Sequence, residues 1–167
     1  GFAKKLQGRV VKDISRRAKY IKITLDNDVV LLMHLGMSGR VVVHNKKRVS
    51  RDKHDHVIFD LDDGSQIVYN DPRRFGLMDL SDVQNIDSHK LIVNLGVEPL
   101  TEEFTGEFLK SSLKNKTVPI KNAIMDANLV VGVGNIYACE ALFRSNILPT
   151  KKACEVSLNK CSILVQN

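Results

Sequence analysis

Six short stretches in the first half of the chain alternate apolar and polar residues with a period of two: VVKDI, KYIKITL, VVLLMHLGM, RVVVH, HVIFDL and QIVYN. That period marks strands with one face against a core and the other toward water. DND at 26–28, HNKK at 44–47 and DDGS at 62–65 separate them with residues that favour turns. Short strands joined by regular turns predict an antiparallel sheet folded as a sandwich or barrel. VVLLMHLGM is apolar at both parities, so it reads as a strand buried on both faces.

After Leu95 the period changes. Gly96-Val97-Glu98-Pro99 reads as a linker, and Thr101-Glu102-Glu103 as a helix start with early acids, followed by Phe104, Phe108 and Leu109 at helical spacing. Pro119 predicts the first turn of a second helix, PIKNAIMDANLVV. GVG leads into a third, NIYACEALFRSNI, stopped at Pro149, and a last helix is expected from about Ala153. The fold class expected is α+β, with an antiparallel β-sandwich over residues 1–96 and a helical domain over residues 97–167.

Composition narrows the class. A chain of 167 residues with 43% hydrophobic and 26% charged positions holds one ordinary domain or two small ones. No apolar run approaches membrane length and no charged-then-apolar leader opens the chain, so a soluble, cytosolic protein without membrane partners is expected. Cys139, Cys154 and Cys161 include no C-x-x-C pair, which argues against a cysteine zinc site and fits reduced thiols.

Charge changes the picture more. Residues 1–60 hold 14 Lys and Arg against 6 Asp and Glu, while residues 98–167 hold 8 against 7. The basic excess lies among apolar positions of the predicted sheet. That distribution suits a binding face for a polyanion better than a disordered tail, although a solvated basic surface with no partner gives the same count.

Five stretches carry candidate chemistry. In SRRAKY, strand alternation places Arg17 and Lys19 on one face, either to meet a phosphate or reacting sugar or as a basic edge that discourages aggregation. In HLGMSGR, glycines bound Met37, which either packs inward or inserts between bases. KHDH puts His54 and His56 on one strand face without a third metal ligand, leaving a phosphate contact or a satisfied sheet edge. In DPRRFG, Asp, Pro and Gly are ordinary turn residues, but the turn carries Phe75 beside Arg73 and Arg74. VGVGN opens a helix at Asn135 with small residues before it, which is either an anion site or an ordinary helix–helix turn.

Together RRAKY, HLGMSGR, KHDH, DPRRFG, LGVEPL, PIKNAIMD and VVGVGNIYACEALFRSNILP resemble the bacterial formamidopyrimidine-DNA glycosylases in content and order, over nearly the whole chain. The resemblance implies a β-sandwich joined to a helix–two-turn–helix domain, with duplex DNA in the cleft between them. It implies removal of 8-oxoguanine and formamidopyrimidines in base excision repair, by base flipping and Schiff-base β,δ-elimination, by an enzyme expected to act as a monomer. Met37, Arg73 and Phe75 would fill the void left by the flipped nucleotide, with Arg73 toward the orphaned cytosine. His54, Arg74 and Asn135 would hold phosphates. Lys19 would assist β-elimination, and Lys116 and Lys121 fall near a basic position of the family.

Departures from the pattern set a further expectation. The family's nucleophile is an N-terminal proline amine followed by a glutamate acid, whereas this chain begins GFAKK. The family's four-cysteine zinc finger has no counterpart here, so no cofactor is expected in this chain and zinc is expected in a full-length member. A lysine side chain is a more basic amine, largely protonated near neutrality. A lesion-recognising portion that binds DNA without catalysis is therefore expected. The alternative is a noncatalytic module for kinked or damaged DNA; an RNA-binding protein using the helical region is a third reading.

Overall fold

A computed structural model describes all of residues 1–167. It divides into two compact units, Gly1–Ile86 and Asp87–Asn167. The sequence texture changes only after Leu95, but residues 87–96 bond as part of the second unit. Ile92 N and Val93 N donate to His89 O at 2.8 and 2.9 Å, and Gly96 N donates to Ala127 O at 2.8 Å.

The first unit opens with a short helix, α1 (Phe2–Leu6), that sequence patterning does not predict. Six of its strands fall on the six alternating stretches: β1 (Val11–Arg17), β2 (Tyr20–Leu25), β3 (Val29–His34), β4 (Arg40–His44), β5 (Asp55–Asp60) and β6 (Gln66–Asn70). A seventh, β7 (Leu77–Asp82), is new. Its sequence LMDLSD interrupts the apolar positions with two acids, which hides the strand from a period count. All pairing is antiparallel, in a sheet of order β1-β2-β3-β7 and another of order β4-β6-β5. β3 lies between two neighbours, and Val30, Leu31, Leu32 and Met33 are all buried, as the doubly apolar run predicts.

The second unit is helical: α2 (Gly106–Leu113), α3 (Ile120–Ile124), α4 (Asn135–Arg144) and α5 (Leu158–Gln166), with a 3-10 turn at Ala153–Glu155. Four boundaries differ from the sequence expectation. α4 ends at Arg144, short of Ile147, and α5 starts at Leu158 rather than near Ala153, capped by the Ser157 hydroxyl, which accepts from Lys160 N at 3.4 Å. α2 starts at Gly106 rather than after Thr101, because the Thr105 hydroxyl accepts from Phe108 N at 3.0 Å and caps the helix. α3 ends by Met125, because the Asp126 carboxylate accepts from Asn128 N at 3.0 Å and turns the chain. Leu109, Leu113, Ile120, Ala138, Leu142, Val156 and Cys161 meet in one buried cluster. Two lysines brace it: Lys110 Nζ donates to Cys154 O and Val156 O at 3.0 and 2.7 Å, and Lys160 Nζ to Ser145 O at 2.8 Å. No helix is long and apolar enough to cross a membrane.

Candidate nucleic-acid interface

His34 at the end of β3 pairs with Leu77 at the start of β7. The segments leaving that end of the ladder are LGMSG (35–39) and DPRRFG (71–76), so strand pairing makes neighbours of loops far apart in sequence. They touch backbone to backbone. Gly36 sits at φ +64°, and a Cβ there would meet Gly76 N and Phe75 C at 2.6 Å, so only glycine fits.

Asp71 joins the two loops. Its side chain is fully buried, with 0% exposure. Oδ1 accepts from Ser38 Oγ at 2.6 Å and Arg73 N at 3.3 Å; Oδ2 accepts from Tyr69 OH at 3.0 Å and Gly76 N at 2.9 Å. These donors, led by the Ser38 hydroxyl and the Gly76 amide, hold the carboxyl well below the usual carboxylate range against the opposing effect of burial. Burial, followed by its bond to Asp71, pushes the Tyr69 phenol up to about 12.

Around this fixed base the apolar side chains are exposed. Met37 is 74% accessible, which answers the inward-packing alternative, and Phe75 is 56% accessible. The Arg73 guanidinium lies 4.8 Å from the Phe75 ring centroid, a cation–π arrangement. Arg74 is exposed and takes φ +56°, the left-handed region that residues with a Cβ rarely enter. DPRRFG thus presents one planar cation stacked on an aromatic ring, followed by a second cation at a backbone kink.

Two sequence expectations need correction. Arg17 and Lys19 do not alternate along one strand. Ala18 and Lys19 form the two-residue turn of the β1–β2 hairpin, closed by the Arg17–Tyr20 pair, with Ala18 at φ +53°. Lys19 is exposed at this tip. His54 and His56 do not share a strand face either. His54 precedes β5, and the pairing shifts register between Asp55 and Val57, which breaks the alternation. His54 O accepts from Asp71 N at 3.0 Å, while His56 Nε2 lies 2.8 Å from Asp71 O and donates to it, since a carbonyl only accepts. His34 adds another bond at the root of the Met37 loop: its Nδ1 accepts from Gly36 N at 3.0 Å, and its ring tilts against Tyr20 with centroids 5.0 Å apart. Burial, then the Lys19 charge, lowers the His34 pKa.

In the helical unit Asn135 is the first residue of α4, after Gly134, which offers no side-chain cap. Asn135, Ile136 and Tyr137 are all exposed there. Lys121 lies on α3, and Lys116 pairs with Asp126 at 3.4 Å. The first unit therefore brings together Met37, Arg73, Phe75, Arg74 and the backbone of His54, while Asn135, Lys116 and Lys121 belong to the second. No three His, Cys, Asp or Glu side chains converge to hold a metal ion.

Sequence reasoning passes over Asp71, Ser38 and Tyr69. An aspartate before proline reads as a turn former, and nothing local signals a partner 33 residues away.

Comparison with known proteins extends these observations. The N-terminal domain model of formamidopyrimidine-DNA glycosylase matches residues 1–78, and the H2TH domain model of the same enzyme matches residues 95–167. The formamidopyrimidine-DNA glycosylase of Ruegeria sp. (strain TM1040) is 44% identical over 173 aligned positions, covering 98% of this chain and 60% of the relative. That of Wolbachia pipientis wMel is 45% identical over 160, covering 95% and 58%. The chain thus spans about 60% of the length of these curated relatives. Among solved structures, the Lactococcus lactis enzyme non-covalently bound to AP-site DNA superposes with a TM-score of 0.91 at 31% identity, covering 98% of this chain and 62% of that one. Its complex with FAPY-dG-containing DNA gives 0.92 at 30%, covering 99% and 62%. With both domain models matched in order and relatives at this identity, the chain belongs to the formamidopyrimidine-DNA glycosylase family.

Proposed function

We propose that this chain is the lesion-recognising portion of a DNA glycosylase/AP lyase of base excision repair, acting in the bacterial cytosol on duplex DNA that carries oxidised purines or abasic sites. The observation that carries this reading is the exposed Met37 and the Arg73–Phe75 stack, projecting from two loops fixed to one buried carboxylate. Extruding a nucleotide leaves a vacancy that costs a few kcal/mol, roughly, in stacking and pairing. An apolar thioether, an aromatic ring and a planar guanidinium replace those contacts.

Met37 and Phe75 enter the vacancy, and Arg73 faces the unpaired base. His54, Arg74, Asn135, Lys116 and Lys121 hold phosphates, which position the duplex without reading it. Lys19, on its hairpin tip, assists β-elimination in the complete enzyme.

The test is a fluorescence-anisotropy titration against duplex with an abasic-site analogue and against intact duplex. Preference for the abasic duplex is expected, reduced by Phe75→Ala and Arg73→Ala; equal affinity for both duplexes refutes the reading. Borohydride on an 8-oxoguanine duplex is expected to trap an adduct when the chain is joined to a relative's leading Pro-Glu helix and zinc finger; if that chimera yields none, the noncatalytic module is the better description.

A further inference from the structure

Asp71 has more hydrogen bonds than a turn requires. An aspartate that only shapes a turn accepts from a backbone amide two residues on, and the Arg73 N bond at 3.3 Å supplies that. Three further donors reach the same carboxylate: Ser38 Oγ from the Met37 loop, Tyr69 OH from β6, and Gly76 N from the far side of Phe75. The backbone of Asp71 is held as well, by His54 O, His56 Nε2 and Arg74 N, the last at 3.3 Å. Every motif singled out in the first unit except the Lys19 hairpin thus ends on this one residue.

The chemistry requires a carboxylate rather than an amide. Four donors converge on two oxygens, and a buried charge is tolerated only when it is bonded this fully. An asparagine would turn its NH2 toward either the Gly76 or the Arg73 N–H, donor against donor. Removing a bond would also free a loop that must resist recoil when its ring is driven into stacked bases. Preorganisation of this kind raises affinity by removing the ordering cost at binding.

We infer that Asp71 is a positioning residue that locks the Met37 loop and the Arg73–Phe75 loop into a single insertion element. The role rests on the damaged-DNA reading proposed above. Asp71 touches no nucleotide; it acts through the loops it ties together.

The experiment measures the abasic-over-intact preference of the 167-residue chain and of its Asp71→Asn, Phe75→Ala and doubly substituted forms, with circular dichroism as the check of folding. Asp71→Asn is expected to lower the preference about tenfold, the effect of one lost charged hydrogen bond. In the Phe75→Ala background it should lower it no further, because the element it positions has lost its ring. Amide exchange at Gly76 and Arg73 should quicken in Asp71→Asn. Unchanged preference, or an equal further loss without Phe75, overturns the inference while leaving the DNA reading intact. If Asp71→Asn does not fold, Ser38→Ala, which removes one donor and leaves the other three, carries the same cycle with the same criteria. No preference in the unaltered chain refutes the DNA reading and this role with it.

Discussion

Gly76→Ala tests the geometry beneath the candidate interface without reference to DNA. A Cβ at residue 76 would meet His34 O at 2.7 Å and Tyr69 Cζ at 2.9 Å, with the Tyr69 hydroxyl closer still. Tyr69 is buried and has little room to withdraw. Relieving the overlap costs about 1–3 kcal/mol as overpacking. Displacing the phenol also breaks its 3.0 Å bond to the Asp71 carboxylate, worth about 1.5–3 kcal/mol for a charged acceptor. The sum, about 2.5–6 kcal/mol, lowers the melting temperature of a unit of this size by on the order of 10–50 °C. Tyr69→Phe alone should cost about 1.5–3 kcal/mol, the loss of that same bond. The two losses share one cause, so the double variant should be less destabilised than their sum by at least about 1 kcal/mol. Urea unfolding followed by far-UV circular dichroism measures all three. Additivity within about 0.5 kcal/mol would mean that the phenol does not lie under Gly76 and that the described loop packing is wrong.

Two further outcomes follow from particular groups. Asp71 and Asp55 are both held below the usual carboxylate range, Asp55 by Asn70 first and then by the Arg48 guanidinium. A lowered folded value means stabilisation present above the unfolded pKa, about 4, and lost as pH falls through the lower folded values. Acid unfolding of the first unit is thus expected below about pH 4, with a shallower limb in Asp55→Asn and Asp71→Asn; a limb of unchanged shape in both counts against these pairings. Arg74→Gly removes a Cβ from φ +56°, so thermal stability should rise by about 1 kcal/mol. Affinity for duplex should nevertheless fall, with a salt slope shallower by about one if Arg74 meets a phosphate, and an unchanged slope excludes that contact.

Much of the scaffold is legible in the chain because burial leaves a local trace. Val30–Met33 betray the central strand by being apolar at both parities, and QIVYN and RVVVH by alternation. Leu77–Asp82 escapes because its partner β3 supplies the burial while its own acids dilute the pattern. The exposed side chains of the interface, Met37 and Phe75, are legible as misfits, apolar residues inside glycine-bounded turns. What holds them is not. Asp71 bonds to Ser38 across 33 positions, and such a pairing leaves no periodic mark. Strand alternation also failed where the backbone departs from a plain strand, at the Ala18 turn and at the Asp55/Val57 shift.

The last register pair of the central ladder, His34 with Leu77, has a consequence for how the protein can vary. Both loops hang from adjacent strands, so their roots are held at the fixed interstrand distance of about 4.8 Å. The ladder works as a gauge: the gap between the two probes is set by main-chain geometry, which no side-chain substitution resets. Variation in what the two loops contact is therefore open through the identity of the tip residues. An insertion or deletion in either loop, or a slip of β7 by one residue, would spoil the measurement altogether.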